Sequence, residues 1–245
     1  MAPVLCSLIA AFIYAFVTGR LVVPERFNPW APLNVMAPPD WLTGYKLAHA
    51  RSDPARCLNA LAQTGMAYDL LPDRITGPAC GFENAVRLRN AGVRLGGPVA
   101  LSCPVALSFF MWETHALQPA AQRHLQQRVT AIDHLGSYAC RNVNRGEAAA
   151  PGNAAALAGS RSRHATANAL DIAGFTLENG KRITILNHWR QNPQQETARS
   201  GSEALFLSSA HDGACRFFDG VLGPGYNAVH RDHFHLETGG YRMCR

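Results

Sequence analysis

Lysine is nearly absent. Only Lys46 and Lys181 occur among 245 residues, and arginine supplies almost all of the net charge of +6. Charged residues make up 16% of the chain and hydrophobic residues 47%, which excludes a disordered, charge-solvated polymer and indicates a folded core. No Cys-x-x-Cys pair occurs, which argues against a structural zinc ribbon. No zinc finger, basic helix or aromatic-interleaved basic stripe is found, so no nucleic-acid partner is expected. The basic charge fits anionic lipid, an acidic polymer or simply a generic basic surface. There is no internal repeat, and residues 1–19 contain no charged side chain.

That uncharged run, closed by Arg20, approaches the twenty or so apolar residues that span a bilayer. It lacks the basic start and clear cleavage site of a signal peptide. The expectation is an uncleaved transmembrane anchor over residues 1–23, giving the chain a membrane partner. Arg20 and Arg26 follow the run, and positive charge tends to stay in the cytoplasm. The cysteines pull the other way. Beyond Cys6 lie Cys57, Cys80, Cys103, Cys140, Cys215 and Cys244. An even set suggests three disulfides and an oxidising compartment. Sequence alone does not choose the pairing, although Cys215 and Cys244 flank the last motif described below. The expected location is the inner membrane, with the folded part in the periplasm.

Residues 24–40 read as a proline-rich linker and 41–245 as one α+β domain, an antiparallel sheet packed with helices. Asp53-Pro54 opens a helix that Gly65 stops. Short strands fill 66–100. A helix covers Pro104 to Gln127 with a break at Pro119, and Val129 to Leu135 is a strand. Residues 144–161 read as a mobile loop. Leu170–Leu177 and Lys181–Leu186 form a hairpin through Asn179-Gly180. Gly201 to Leu222 reads as mostly helical, and His233–Glu237 as the last strand.

Asp232-His233-Phe234-His235 puts two histidines on one face of that strand. Ser162-Arg163-His164, followed by Asp171, supplies a histidine and an aspartate just before an apolar run. His164, Asp171 and His235 make a set of three ligands with one position open, the pattern of a catalytic zinc. His233 is a possible fourth ligand. Glu237 shares its face, whereas strict alternation turns Asp232 away from His235. His230, closer to the site, is either a loop histidine or a substrate contact, and the remaining histidines read as surface or structural residues.

His164-x6-Asp171 followed by His233-x-His235 resembles the zinc metallopeptidases that include D-Ala-D-Ala carboxypeptidases, lysostaphin-type endopeptidases and the hedgehog fold. Ala167 stands where their signature usually has glycine. His164 to Phe175, Asp212 to Phe218 and Asp232 to Leu236 are similar to the bacterial extensin-like C-terminal domain family, over roughly residues 28–245. The resemblance implies a hedgehog or carboxypeptidase-like sheet carrying Zn2+. It implies Asp232, three residues before the last ligand, as base, with Glu237 as the alternative. It implies His233 as transition-state stabiliser. Ser162 either binds a substrate carboxylate or caps its loop. Tyr138 and Arg141 are similar to a Ser-Gly-Tyr-Arg-Ser segment whose arginine contacts substrate, and Arg141 would act as an anion clamp.

The expected activity is zinc-dependent hydrolysis of a peptide bond in peptidoglycan, as carboxypeptidase or endopeptidase, outside the cytoplasmic membrane. A non-catalytic, zinc-stabilised cell-wall-binding module and a metal hydrolase of another bond remain open beside it.

Overall fold

The computed structural model describes residues 2–20, 23–143, 160–189 and 201–245. The stretch 144–159, read as a loop, lies outside them.

The N-terminal run forms helix α1, Ala2–Val17, of 16 residues. At 1.5 Å per residue it is about 24 Å long, short of a bilayer core of about 30 Å. Among the described residues no helix is long and apolar enough to cross a membrane. The expected transmembrane helix is thereby corrected to a short apolar helix. Its end is set by Gly19, whose φ of +70° turns the chain left-handed where the apolar run still continues. Val4, Leu5, Ile9 and Phe12 on it are exposed.

Leu33 and Val35, in the stretch read as a linker, are buried in the core. His115 Nε2 lies 2.8 Å from the Val35 carbonyl and fastens that stretch to the helix behind it. Helix α2 is Thr43–Arg51 and α3 is Pro54–Ala62. The cap forms as expected: Asp53 Oδ1 accepts from the Arg56 N–H at 2.9 Å, with Pro54 in the first turn.

The strands are β1 (Ala67–Leu71), β2 (Arg74–Gly77), β3 (Cys80–Phe82), β4 (Ala85–Asn90), β5 (Arg94–Ser102), β6 (Val129–Gly136), β7 (Ala169–Leu177), β8 (Arg182–Thr184), β9 (Gly220–Leu222), β10 (Phe234–Glu237) and β11 (Met243–Cys244). Nine form one sheet in the order β1-β4-β5-β6-β7-β10-β9-β11, with β8 also paired to β7. The pairings are antiparallel except β5 with β6 and β9 with β11. Strands β2 and β3 form a separate hairpin.

A long buried helix crosses the sheet. It runs as α4 (Cys103–Trp112), a π-helical turn (Glu113–Leu117) and α5 (Gln118–Leu125). Proline would clash with the carbonyl four residues back and has no N–H to donate, so the turn before Pro119 widens instead of breaking. Helices α6 (Ile185–His188) and α7 (Gly201–Ala214) complete the layer. Trp112 Nε1 donates to the Ala210 carbonyl at 2.8 Å and locks α7 to the central helix. The segment read as helical through Leu222 stops at Ala214. Arg51 captures the Phe217 carbonyl at 3.0 Å and the Asp219 carboxylate at 2.9 Å, and residues 220–222 turn into the sheet as β9.

Three disulfides fasten this frame: Cys57–Cys103, Cys80–Cys140 and Cys215–Cys244. The first joins α3 to the start of α4, and the second joins the β2–β3 hairpin to the segment leaving β6. Thiol titration of the denatured, unreduced chain is expected to find one free cysteine, Cys6, and finding seven would contradict the pairing. Loss of the buried Cys57–Cys103 bridge, which closes 46 residues, is expected to lower unfolding free energy by about 2–4 kcal/mol in denaturant titration.

Candidate metal centre

Strands β7 and β10 pair antiparallel with Asp171 directly opposite His235, Leu170 opposite Leu236 and Ile172 opposite Phe234. Leu170, Ile172, Phe234 and Leu236 are all buried in the core. Alternation therefore sends Asp171 and His235 together to the other face. His164 arrives from the 3-10 helix Arg163–Thr166 that leads into β7. Ser162 Oγ caps that helix, accepting from the His164 N–H at 3.3 Å. Ala167 ends it at φ +53°. That left-handed conformation is one that glycine adopts without the cost a Cβ brings.

Each histidine has one nitrogen assigned by its neighbour. His164 Nδ1 lies 2.7 Å from the Ser137 carbonyl, which can only accept, so Nδ1 carries a proton and Nε2 is the nitrogen turned toward Asp171. His235 Nε2 lies 3.0 Å from Glu237 Oε2, and its Nδ1 is the nitrogen turned toward Asp171. These two nitrogens are 3.1 Å apart. Asp171 Oδ2 is 3.1 Å from His164 Nε2, and Asp171 Oδ1 is 2.9 Å from His235 Nδ1. Ligand atoms on a tetrahedral zinc with bonds of about 2.0–2.1 Å lie roughly 3.3 Å apart, so the set needs only slight expansion to accept the ion.

Asp171 draws positive charge to this cluster, carried by protons on the two rings or by a metal that would displace them. Burial pushes the Asp171 carboxyl up, but the hydrogen bonds from His164 and His235 outweigh it and hold it well below the usual carboxylate range. Burial lowers His235, yet Asp171 and Glu237 raise it to about 9. A second grouping, His211 with Cys215 and Cys244, is also close enough for an ion. Its two sulfurs are joined as a disulfide and cannot serve as thiolates.

The cluster opens into a cleft of about 930 Å³, which Arg141, Tyr226, His230, His233 and Tyr241 also line. His233 Nε2 is 3.8 Å from Asp171 Oδ1, beside the three-ligand grouping rather than within it. Its Nδ1 lies 2.9 Å from Asp232 Oδ1. Asp232, half exposed, is thus held by His233. Glu237 stands behind His235, pressed against Gly220, where a Cβ would collide with its side chain. Arg141 is held beside the cluster because its carbonyl accepts from the Ser162 N–H at 3.1 Å. Tyr138 does not line the cleft; its ring meets Phe82 edge-on at 5.4 Å and its hydroxyl meets Thr76.

His230, read from sequence as either a loop histidine or a substrate contact, is buried with its ring centroid 5.8 Å from that of His235. Burial, and then the neighbouring His233 and His235, push its pKa down to about 4. The signal that could have found it is the asparagine three residues before it, a cap that turns the chain just ahead of β10.

A family model described as extensin-like protein C-terminus matches residues 55–245. No curated protein and no solved structure matches the chain.

One zinc per chain is expected by elemental analysis, lost in His164→Ala and in His235→Ala. Glu237→Ala is expected to weaken zinc about 10–100-fold in competition with a chromophoric chelator, because the carboxylate fixes the tautomer of a ligand. Unchanged affinity would remove Glu237 from the site.

Proposed function

Because the chain belongs to the extensin-like protein C-terminal family, we propose that it is a zinc-dependent hydrolase of a peptide bond in peptidoglycan, working outside the cytoplasm. The observation that carries this reading is the convergence of His164 Nε2, His235 Nδ1 and Asp171 within 2.9–3.1 Å at the edge of an open cleft. The likeness of the His-x6-Asp and His-x-His spacings to zinc metallopeptidases supports the choice of metal and bond. The three disulfides support the compartment. The apolar α1 supports attachment to a membrane surface without a span.

His164, Asp171 and His235 would hold the ion. When bound, zinc supplies Lewis acidity for a carbonyl and brings the pKa of water down toward about 7. The protein's own groups do the rest. Asp232 accepts from His233 Nδ1, which leaves Nε2 as the lone pair directed at the ligand cluster. His233 Nε2 is then the atom that takes a proton from the attacking water and returns it to the leaving amine. Asp232 acts through His233 as a positioning residue, a change from the direct base, with His233 as transition-state stabiliser, that the resemblance implies. Arg141, which lines the cleft along with Arg161 and Arg163, is a cation available to an anionic group of the substrate. A cell-wall module that binds without cleaving would have no use for an oriented Asp232–His233 pair, so this pair favours the enzyme.

The test is digestion of purified peptidoglycan by the zinc-loaded chain, with and without chelator, read by mass spectrometry of the released muropeptides. Metal-dependent release is expected; its absence with zinc fully bound would favour the binding module. His233→Ala and Asp232→Asn are expected to keep zinc and each lose about 10²–10⁴ in kcat. The double variant is expected to lose no more than His233→Ala alone, since the two act as a unit. Multiplicative losses would instead make Asp232 an independent base.

A further inference from the structure

His230 has no part in the chemistry above, yet it is a largely buried polar group that faces the cleft. It is 9% exposed, and its ring lies 5.2 Å from that of His233 with Tyr226 edge-on at 5.5 Å. Its orientation comes from the backbone just before β10. Asn227 caps the 3-10 helix Ala228–His230, and its Oδ1 accepts from the Val229 N–H at 3.0 Å. The same oxygen lies 2.7 Å from His230 Nδ1. An oxygen can only accept, so Nδ1 carries the ring proton and Nε2 carries the lone pair.

Among the described residues nothing hydrogen-bonds to Nε2, and it is not one of the sealed, orphaned polar atoms of the interior. It therefore opens on the cleft. It also stands apart from the His164, Asp171 and His235 grouping, so it is not a further member of the ligand set. The cleft offers other groups of the opposite kind: Arg141 only donates. His233 Nε2 is taken up by the proton transfer above, which leaves His230 Nε2 as an oriented neutral acceptor for the substrate.

We propose that His230 is a substrate-contacting residue whose Nε2 accepts a hydrogen bond from an N–H of the ligand, an amide or an amine, lying over the metal cluster. This rests on the hydrolase reading and deepens it. The site would be built for a nitrogen-bearing substrate, since an oxygen ester in the same place offers no donor and would leave the acceptor unpaired. Asn227 acts through His230 and fixes which nitrogen is presented.

The test uses two replacements in the full chain. His230→Asn keeps a donor near the position of Nδ1 but removes the acceptor at Nε2. His230→Gln reaches the position of Nε2. With muropeptides from digested peptidoglycan as the probe, His230→Asn is expected to bind zinc in full and lose roughly 10–100-fold in kcat/KM. His230→Gln is expected to recover most of that loss. Cleavage by His230→Asn at the parent rate, loss of its zinc, or failure of glutamine to rescue it would each overturn the proposal. If the parent cleaves nothing, the hydrolase reading fails, and calorimetric binding of the same muropeptides to the zinc-loaded chains decides His230. Weaker binding to His230→Asn than to the parent then supports the contact, and equal binding or none overturns it.

Discussion

The direct opposition of Asp171 and His235 across two antiparallel strands is the constraint on which the site depends. It is inseparable from the core, because Leu170 with Leu236 and Ile172 with Phe234 occupy the alternate positions of the same two strands. Slipping β10 by one residue against β7 would turn the His235 imidazole into the core and expose Phe234 and Leu236. Fully burying each such side chain is worth about 1.5–3 kcal/mol, so hydrophobic packing holds the polar pair in place at no cost in added contacts. The third member, His164, is then aligned by hydrogen bonds from neighbouring backbone. Ser137 fixes its nitrogen, and the Ala139 N–H donates to its carbonyl at 3.1 Å.

The surrounding frame delivers each of these segments to one place. The Ser102 N–H donates to the Ala167 carbonyl at 2.9 Å, so the start of the buried central helix supports the end of the His164 loop. Cys103, the next residue, is bridged to α3. Cys140 lies between Tyr138 and Arg141, and its bridge to Cys80 ties their segment to the β2–β3 hairpin. Cys215–Cys244 joins α7 to the strand beyond β9, next to the metal strands. The cysteines thus stabilise the loops that no long strand pairing holds.

Much of this was legible in the chain. Strand alternation in Phe234-His235-Leu236 and Leu170-Asp171-Ile172, the Asp53-Pro54 cap and the Asn179-Gly180 turn are local signals, and all appear as read. The convergence of His164, Asp171 and His235 was legible from the spacing of the two motifs. The failures are those of direction and tertiary contact. Tyr138 follows Gly136, whose φ is +111°, and a turn of that kind redirects the side chains after it toward the hairpin. His230 lies in a turn where period-two reasoning does not extend, so its approach to His235 was invisible. The length of α1 was overread because a run of apolar residues does not say where Gly19 ends the helix. Glu237 was seen on the right face, but its contact with His235 Nε2 at 3.0 Å is a tertiary detail that strand alternation does not give.

The account stands on which atoms hold the ion. X-ray absorption at the zinc edge of the loaded chain reads this directly. It should show nitrogen and oxygen neighbours at about 2.0–2.1 Å, scattering from two imidazoles, and no sulfur. A sulfur shell near about 2.3 Å would move the metal to His211, Cys215 and Cys244 and contradict the assignment of His164, Asp171 and His235.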